Sequence, residues 1–112
     1  MSRHGWKQIE RDAASLFGTT RYPANMGHRL DFESSSFVGQ VKNTKKYSLA
    51  QLETIAQEMG EIGRERVDRD TGKNKIGVVV IKRSAGSGKR TPKLIVMTED
   101  EWRRLRERYG IS

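Results

Sequence analysis

The segment "IGVVVIK", residues 76–82, constrains this chain more than any other. Five of its seven residues are β-branched, and the apolar side chains follow one another without the polar alternation of a half-exposed strand. Successive side chains in a strand point to opposite faces. A run of this kind is therefore buried on both faces, as in a central strand with helices on either side.

The flanking sequence supplies the other elements. Residues 3–17 predict a helix, with Trp6, Ile9, Ala13, Leu16 and Phe17 at helical spacing, Ser2 as a cap and Gly18 as a terminator. "TTRY" (19–22) predicts a short strand before Pro23, and "PANMGH" a turn-rich connection. "RLDF" and "SFVGQVK" read as paired strands joined by "ESSS". A second helix starts at Ser48, where Ser48 and Gln51 form a capping-box pattern, and carries the stripe Leu49, Leu52, Ile55, Ala56, Met59 and Ile62. That stripe fits core or dimer contact better than a ligand box. "DRDTGKNK" is a polar loop, "RSAGSGKRTP" a flexible basic loop and "KLIVMT" (93–98) a strand. Thr98 and Glu101 form a second capping-box pattern that opens a short basic helix. No internal repeat or linker interrupts this order. The expectation is one α/β domain over residues 1–112, a central mixed sheet flanked by helices.

Composition narrows the function. Only 34% of the 112 residues are apolar, so the core is small and gains from dimerisation or a bound partner. There is no cysteine, hence no disulfide and no thiolate metal site. The opening "MSRHGWKQIERD" is charged, unlike a secretory signal. No run approaches the roughly 20 apolar residues of a membrane span. The informative quantity is charge: 22 Lys and Arg against 14 Asp and Glu, a net +8. That surplus points to a polyanion partner, nucleic acid first, with a merely solvated basic surface as the plain alternative.

Within "DFESSSFVGQVKN" (31–43), strand alternation puts Phe37, Gly39 and Val41 on one face and Val38, Gln40 and Lys42 on the other. If "RLDF" pairs with this strand, Asp31 lies beside Gln40 and Lys42. A carboxylate, an amide and an ammonium then share one place. Phosphodiester hydrolysis uses such a set: oxygen ligands hold Mg²⁺, which offsets charge on the phosphate and acidifies water, while a lysine stabilises the transition state. Glu10, at the edge of the first helix's buried face, is the candidate to complete the shell. An ordinary polar sheet face is the competing reading, and Glu10 alone reads more often as a solvated helix residue or a partner of Lys7 or Arg11.

At these residues the chain resembles the archaeal-type Holliday junction resolvases of the PD-(D/E)XK nuclease superfamily, in a version found in phages. The carriers are "WKQIERDAASLFG", the acid of "RLDF", the strand "FVGQVKN", "YSLAQLETIAQEM", "IGVVVIKR" and "KLIVMTEDEW", over roughly residues 5–102. The resemblance implies a restriction-endonuclease-like fold. It implies a homodimeric, Mg²⁺-dependent endonuclease, with Mn²⁺ as a substitute, that acts in DNA recombination on four-way junctions. It implies a cytoplasmic place in a prokaryotic or phage-infected cell. Carried over by position, Glu10 matches the helix acid, Asp31 the motif aspartate and Lys42 the motif lysine. Gln40 falls where the family has its second acid, and Leu30 where the motif name has proline. An amide ligates a metal without bringing charge, so weaker Mg²⁺ binding is expected. Three explanations stay open: the glutamine is natural and tolerated, Glu33 supplies the missing charge, or the residue was changed to trap an inactive complex.

Arg3, Arg21, Arg29, Lys45 and Lys46 flank the proposed site as phosphate contacts, with His28 beside Arg29. Lys82, Arg83, Lys89 and Arg90 form a second basic region around the hairpin loop. His4 and His28 are assigned no metal, and Trp6 and Trp102 are expected to be packing anchors. In "RRLRER" the arginines have Glu101 and Glu107 within pairing distance along the helix. Three function classes compete: a junction-resolving endonuclease, a non-catalytic branched-DNA-binding module that has lost its metal site at Gln40, and a nuclease of the same superfamily with another DNA target. A small RNA-binding protein is a distant fourth, since the usual aromatic RNA-recognition motif is absent.

Overall fold

The apolar run forms β3 (Ile76–Arg83), the third strand of a four-stranded mixed sheet, and its first six residues are buried. The structure is a computed structural model that describes residues 3–20, 30–44, 48–83 and 91–110. β2 (Phe37–Thr44) runs parallel to β3, in register from Phe37 opposite Ile76 to Thr44 opposite Arg83. β1 (Phe32–Glu33) pairs antiparallel with β2, and β4 (Lys93–Val96) antiparallel with β3, giving the order β1-β2-β3-β4. A parallel pair needs a crossover, and α2 (Leu49–Arg64) supplies it. α1 (Arg3–Leu16) precedes the sheet and α3 (Glu99–Tyr109) follows it. No described helix is long and apolar enough to cross a membrane.

Alternation along β3 explains its double burial. Ile76, Val78 and Val80 pack with Val41, Phe32 and the α1 residues Ile9, Ala13 and Ala14. Val79 and Ile81 pack on the opposite side with Val38, Leu30 and the α2 residues Ala56, Met59 and Ile62. Each such aliphatic side chain contributes roughly 1.5–3 kcal/mol when fully buried, so this one strand ties both layers together. α2 comes close enough to β3 that a Cβ on Gly77 would lie 2.1 Å from the backbone of Met59. Only glycine allows that approach.

The first capping box forms as expected. Ser48 accepts from the Gln51 N–H at 3.1 Å, and the Gln51 side chain accepts from the Ser48 N–H at 2.9 Å. Of the predicted stripe, Leu52 and Ile55 are partly buried, and Leu49 is 84% exposed because it stands at the helix entrance.

Other expectations need correction. Thr98 caps α3 by accepting from the Glu101 N–H, but the Glu101 side chain does not turn back to complete a box. It is fully buried and accepts from the Gly77 N–H at 2.8 Å and from Arg104 at 2.6 Å. β4 ends with Val96 opposite Val79, two residues before the expected end, so the start of β3 has β2 on one side and no strand on the other. α3 takes that place with side chains: Arg104 donates to the Lys75 carbonyl at 2.8 Å and Arg108 to that of Asn74 at 3.2 Å. A buried edge left unpaired would strand polar backbone groups; the helix satisfies them. The proposed strand at 19–22 does not form over Thr19 and Thr20, which follow α1 in a bend, and its other two residues lie outside the described ones. Trp102 is 45% exposed rather than a buried anchor, and the Trp6 side chain lies outside the described residues.

Candidate active site at the meeting of α1, β1 and β2

Asp31 sits one residue before β1, and two backbone groups of β2 hold it. Its own N–H donates to the Gly39 carbonyl at 2.9 Å, and its carboxylate accepts from the Val41 N–H at 2.7 Å. Those two residues flank Gln40, so Asp31 lies directly across from it. Phe32 opposite Gly39 continues the same register. Gln40 is half-buried, and Lys42, two residues on, is half-buried on the same strand face.

α1 brings in the second acid. Glu10 belongs to the helix face that also carries Ala13 and Ala14, and it is only 8% exposed. Its carboxyl reaches hydrogen-bonding range of Asp31. Burial raises the Asp31 pKa, and the nearby Glu10 charge adds to the rise. The Val41 N–H bond and the Lys42 charge act the other way without cancelling it. The sheet and α1 therefore assemble Glu10, Asp31, Gln40 and Lys42, which are distant in sequence only at Glu10.

The donor set suits a hard cation. Two carboxylates pressed together at a partly dehydrated place repel each other, and a divalent ion would relieve that repulsion. All the available donors are oxygens, as Mg²⁺ prefers. The set carries two negative charges, with Gln40 contributing an amide oxygen only. Among the described residues no group of three or more His, Cys, Asp or Glu side chains is arranged to hold a metal ion.

Glu33 does not join this set. One carboxylate oxygen accepts from Arg66 at 2.6 Å and the other from Lys75 at 2.8 Å. It shares a strand face with Asp31 by alternation, yet the segment between α2 and β3 claims it. Nothing local in sequence marks this, since the partners lie 33 and 42 residues away.

Of the proposed phosphate contacts, Lys82 is described and donates to the Thr91 carbonyl at 2.8 Å and to the Thr91 hydroxyl at 3.2 Å. Arg83 is exposed. Arg3 begins α1, and its side chain lies outside the described residues, as do Arg21, His28, Arg29, Lys45, Lys46, Lys89 and Arg90. Their sequence positions are still informative. Stretches 21–29, 45–47 and 84–90 contain six of these cations and no acid, and so account for six of the eight net positive charges. They join the described body at Leu30, Thr44 and Arg83. Leu30 precedes Asp31, and Thr44 and Arg83 are register partners at the end of the sheet that Lys42 approaches. Compared with protein-family models, with curated proteins and with solved structures, the chain has no significant match in any of the three.

Proposed function

We propose that this protein is a metal-dependent, structure-selective DNA endonuclease of restriction-endonuclease-like fold that resolves four-way junctions as a homodimer. The observation that carries the reading is the placement of Asp31. It is fixed across from Gln40 by two β2 backbone bonds, with the Glu10 carboxyl in contact and the Lys42 charge acting on it. A polar sheet face with no task would not bring two carboxylates together at a cost to the ionisation of one of them.

Bound at these oxygens, Mg²⁺ would polarise the scissile phosphate and acidify water. The residues of the chain supply the rest. Asp31 and Glu10 provide the charge that selects a divalent cation. Val41, through its N–H, keeps Asp31 in one orientation. Lys42 is placed to offset negative charge developing on the phosphate. The basic stretches that join the body at this end of the sheet would hold the DNA by its backbone, with little reading of bases. Cutting two strands symmetrically calls for two sites, which a two-fold pair of chains supplies.

Gln40 favours a second reading, a branched-DNA-binding module with impaired cleavage, because the set is one charge short of three acids. One assay separates the two. An end-labelled four-way junction and a linear duplex of matching sequence are incubated with Mg²⁺, Mn²⁺ or EDTA. The protein is tested beside Gln40→Glu and Lys42→Ala. Metal-dependent, symmetric nicking of the junction alone, lost in Lys42→Ala with binding retained, is the expected result. Nicking only by Gln40→Glu would mean that the chain is a disabled resolvase. Tight junction binding with no cutting by any form would make it a binding module. Cutting of both substrates would leave a nuclease of the same chemistry with a different target.

A further inference from the structure

We infer that Phe17, Phe32 and Gly39 form a positioning wedge that sets the separation of the Glu10 and Asp31 carboxylates. The inference rests on the nuclease reading for its consequence in catalysis and on contacts alone for its geometry.

Three observations lead to it. The tip of the Phe32 ring abuts Gly39: a Cβ there would stand 2.2 Å from it. The same ring stacks on Phe17, the residue just after α1, with centroids 4.9 Å apart and planes 16° from parallel. Phe17 in turn touches Phe37 at the start of β2, at 4.9 Å and 57°. Phe32 is therefore held between the β2 backbone and the residue that follows α1.

The residues on either side of this clasp are the site's acids. Asp31 is the chain neighbour of Phe32, so the depth at which the ring seats fixes how closely Asp31 approaches Gly39 and Val41. Glu10 lies seven residues before Phe17 on the same buried stripe, about 10 Å along the helix axis. α1 and the residue that follows it thus meet the Asp31–Phe32 segment twice, at Phe17 against Phe32 and at Glu10 against Asp31. One contact on the helix and one just past its end, where the Phe17 N–H donates to the Ala14 carbonyl at 3.0 Å, restrict its freedom to rotate or slide. The ring stack holds the apolar contact closed, and the two carboxylates, which repel each other, stay together because of it. Interiors at native packing density transmit such a displacement rather than absorb it. None of the three residues touches the reacting atoms; they act through Asp31 and Glu10.

The test is Gly39→Ala, beside the double variant Gly39→Ala/Phe32→Leu, in which the smaller side chain vacates the space that the new methyl needs. Crystal structures give the Glu10–Asp31 carboxyl separation directly, and steady-state cleavage of the junction gives kcat and KM. The expected result in Gly39→Ala is a separation wider by about 1 Å and kcat lower by about 10²-fold. KM for DNA should stay within about threefold, because the phosphate contacts are elsewhere. The double variant should recover both spacing and rate. A merely structural glycine would move stability without this split and without rescue. An unchanged separation in Gly39→Ala, or one that Phe32→Leu fails to restore, overturns the inference whatever the kinetics. If the spacing widens and is rescued but the wild-type protein cuts no DNA, the wedge stands and the nuclease reading falls. Should Gly39→Ala not fold, Phe17→Leu, which removes the clasp from the helix side, carries the same measurements to the same two outcomes.

Discussion

Asp31 and Asp68 are both taken out of bulk water, and they titrate in opposite directions. Burial and Glu10 raise Asp31 above its ordinary 3.8, whereas Asp68 is lowered, first by the Asp70 N–H and then by the Arg108 charge. Asp68 and Arg108 form a close ion pair whose side chains are 4% and 5% exposed. The signs follow from proton linkage. Between 3.8 and its raised value, the folded state holds the Asp31 proton more tightly than the unfolded chain does. Stability from Asp31 is thus full in acid and falls as pH rises through the folded pKa. Asp68 contributes stability above its unfolded pKa and loses it as pH falls through the folded one. Asp31→Asn keeps an acceptor for the Val41 N–H and removes the repulsion. It should raise the melting temperature by a few degrees at neutral pH without metal while abolishing cleavage. Asp68→Asn should lower the melting temperature at neutral pH, with the deficit shrinking in acid. Thermal scans of the three proteins across that range check both slopes; a destabilised Asp31→Asn would mean that its carboxylate serves the fold. Strand alternation made Asp31, Gln40 and Lys42 legible as a set, because all three lie within one hairpin. The clasp of Phe17 on Phe32 and the capture of Glu33 by Arg66 and Lys75 were not legible. Each joins segments whose relative position is fixed only by tertiary packing.

At the scale of elements, α3 occupies the position of a missing strand. The Glu101 carboxylate receives the Gly77 N–H, Arg104 reaches the Lys75 carbonyl, and Arg64 approaches Glu101 from the end of α2 at 3.4 Å. One buried acid therefore links α2, β3 and α3. Glu101→Ala would leave the Gly77 N–H without a partner and Arg104 without its charge, at a cost of roughly 3–5 kcal/mol, as for other buried pairs broken from one side. Gly77→Ala forces a methyl into the α2 backbone and should cost at least the roughly 1–3 kcal/mol of an overpacked core. Gly72→Ala, at a loop glycine with open space around it and φ of +71°, serves as the control for backbone strain alone. Urea melts of the three variants rank these effects, and equal losses at Gly77 and Gly72 would contradict the close-packing account. The sequence identified β3 and α2 because their signals are local: a β-branched run and a capping box. It misassigned the second capping pattern because Thr98 and Glu101 have the right spacing for one. A nearby unpaired strand edge offers the glutamate a stronger partner than its own helix cap, and no local rule anticipates that competition.

Across the whole molecule the net charge of +8 is unevenly spread. Six of the eight units come from Arg21, Arg29, Lys45, Lys46, Lys89 and Arg90, in stretches without a single acid that join the body at Leu30, Thr44 and Arg83. α3 looks basic in sequence, yet it contains four acids and four arginines, and Arg103 pairs with Glu99 at 2.8 Å and Arg104 with Glu101. Charge already neutralised within the chain releases few counterions from DNA, whereas an unopposed lysine releases nearly one per phosphate that it meets. The salt dependence of junction binding should therefore report which cations engage. For duplex arms the log-log slope is about −0.9 per phosphate neutralised. Lys45→Ala/Lys46→Ala should make that slope shallower by nearly two, with affinity falling most at low salt. Arg103→Ala should leave the slope unchanged, because that arginine is already paired with Glu99 and neutralises no phosphate. Fluorescence anisotropy of a labelled junction at a series of salt concentrations measures both. If the two variants shifted the slope alike, the DNA would lie across α3 as well. The α1–β1–β2 site would then sit at the margin of the footprint rather than beneath it. If only the lysine pair shifts it, the bound backbone passes the end of the sheet where Lys42 approaches Thr44, within reach of Asp31 and Glu10.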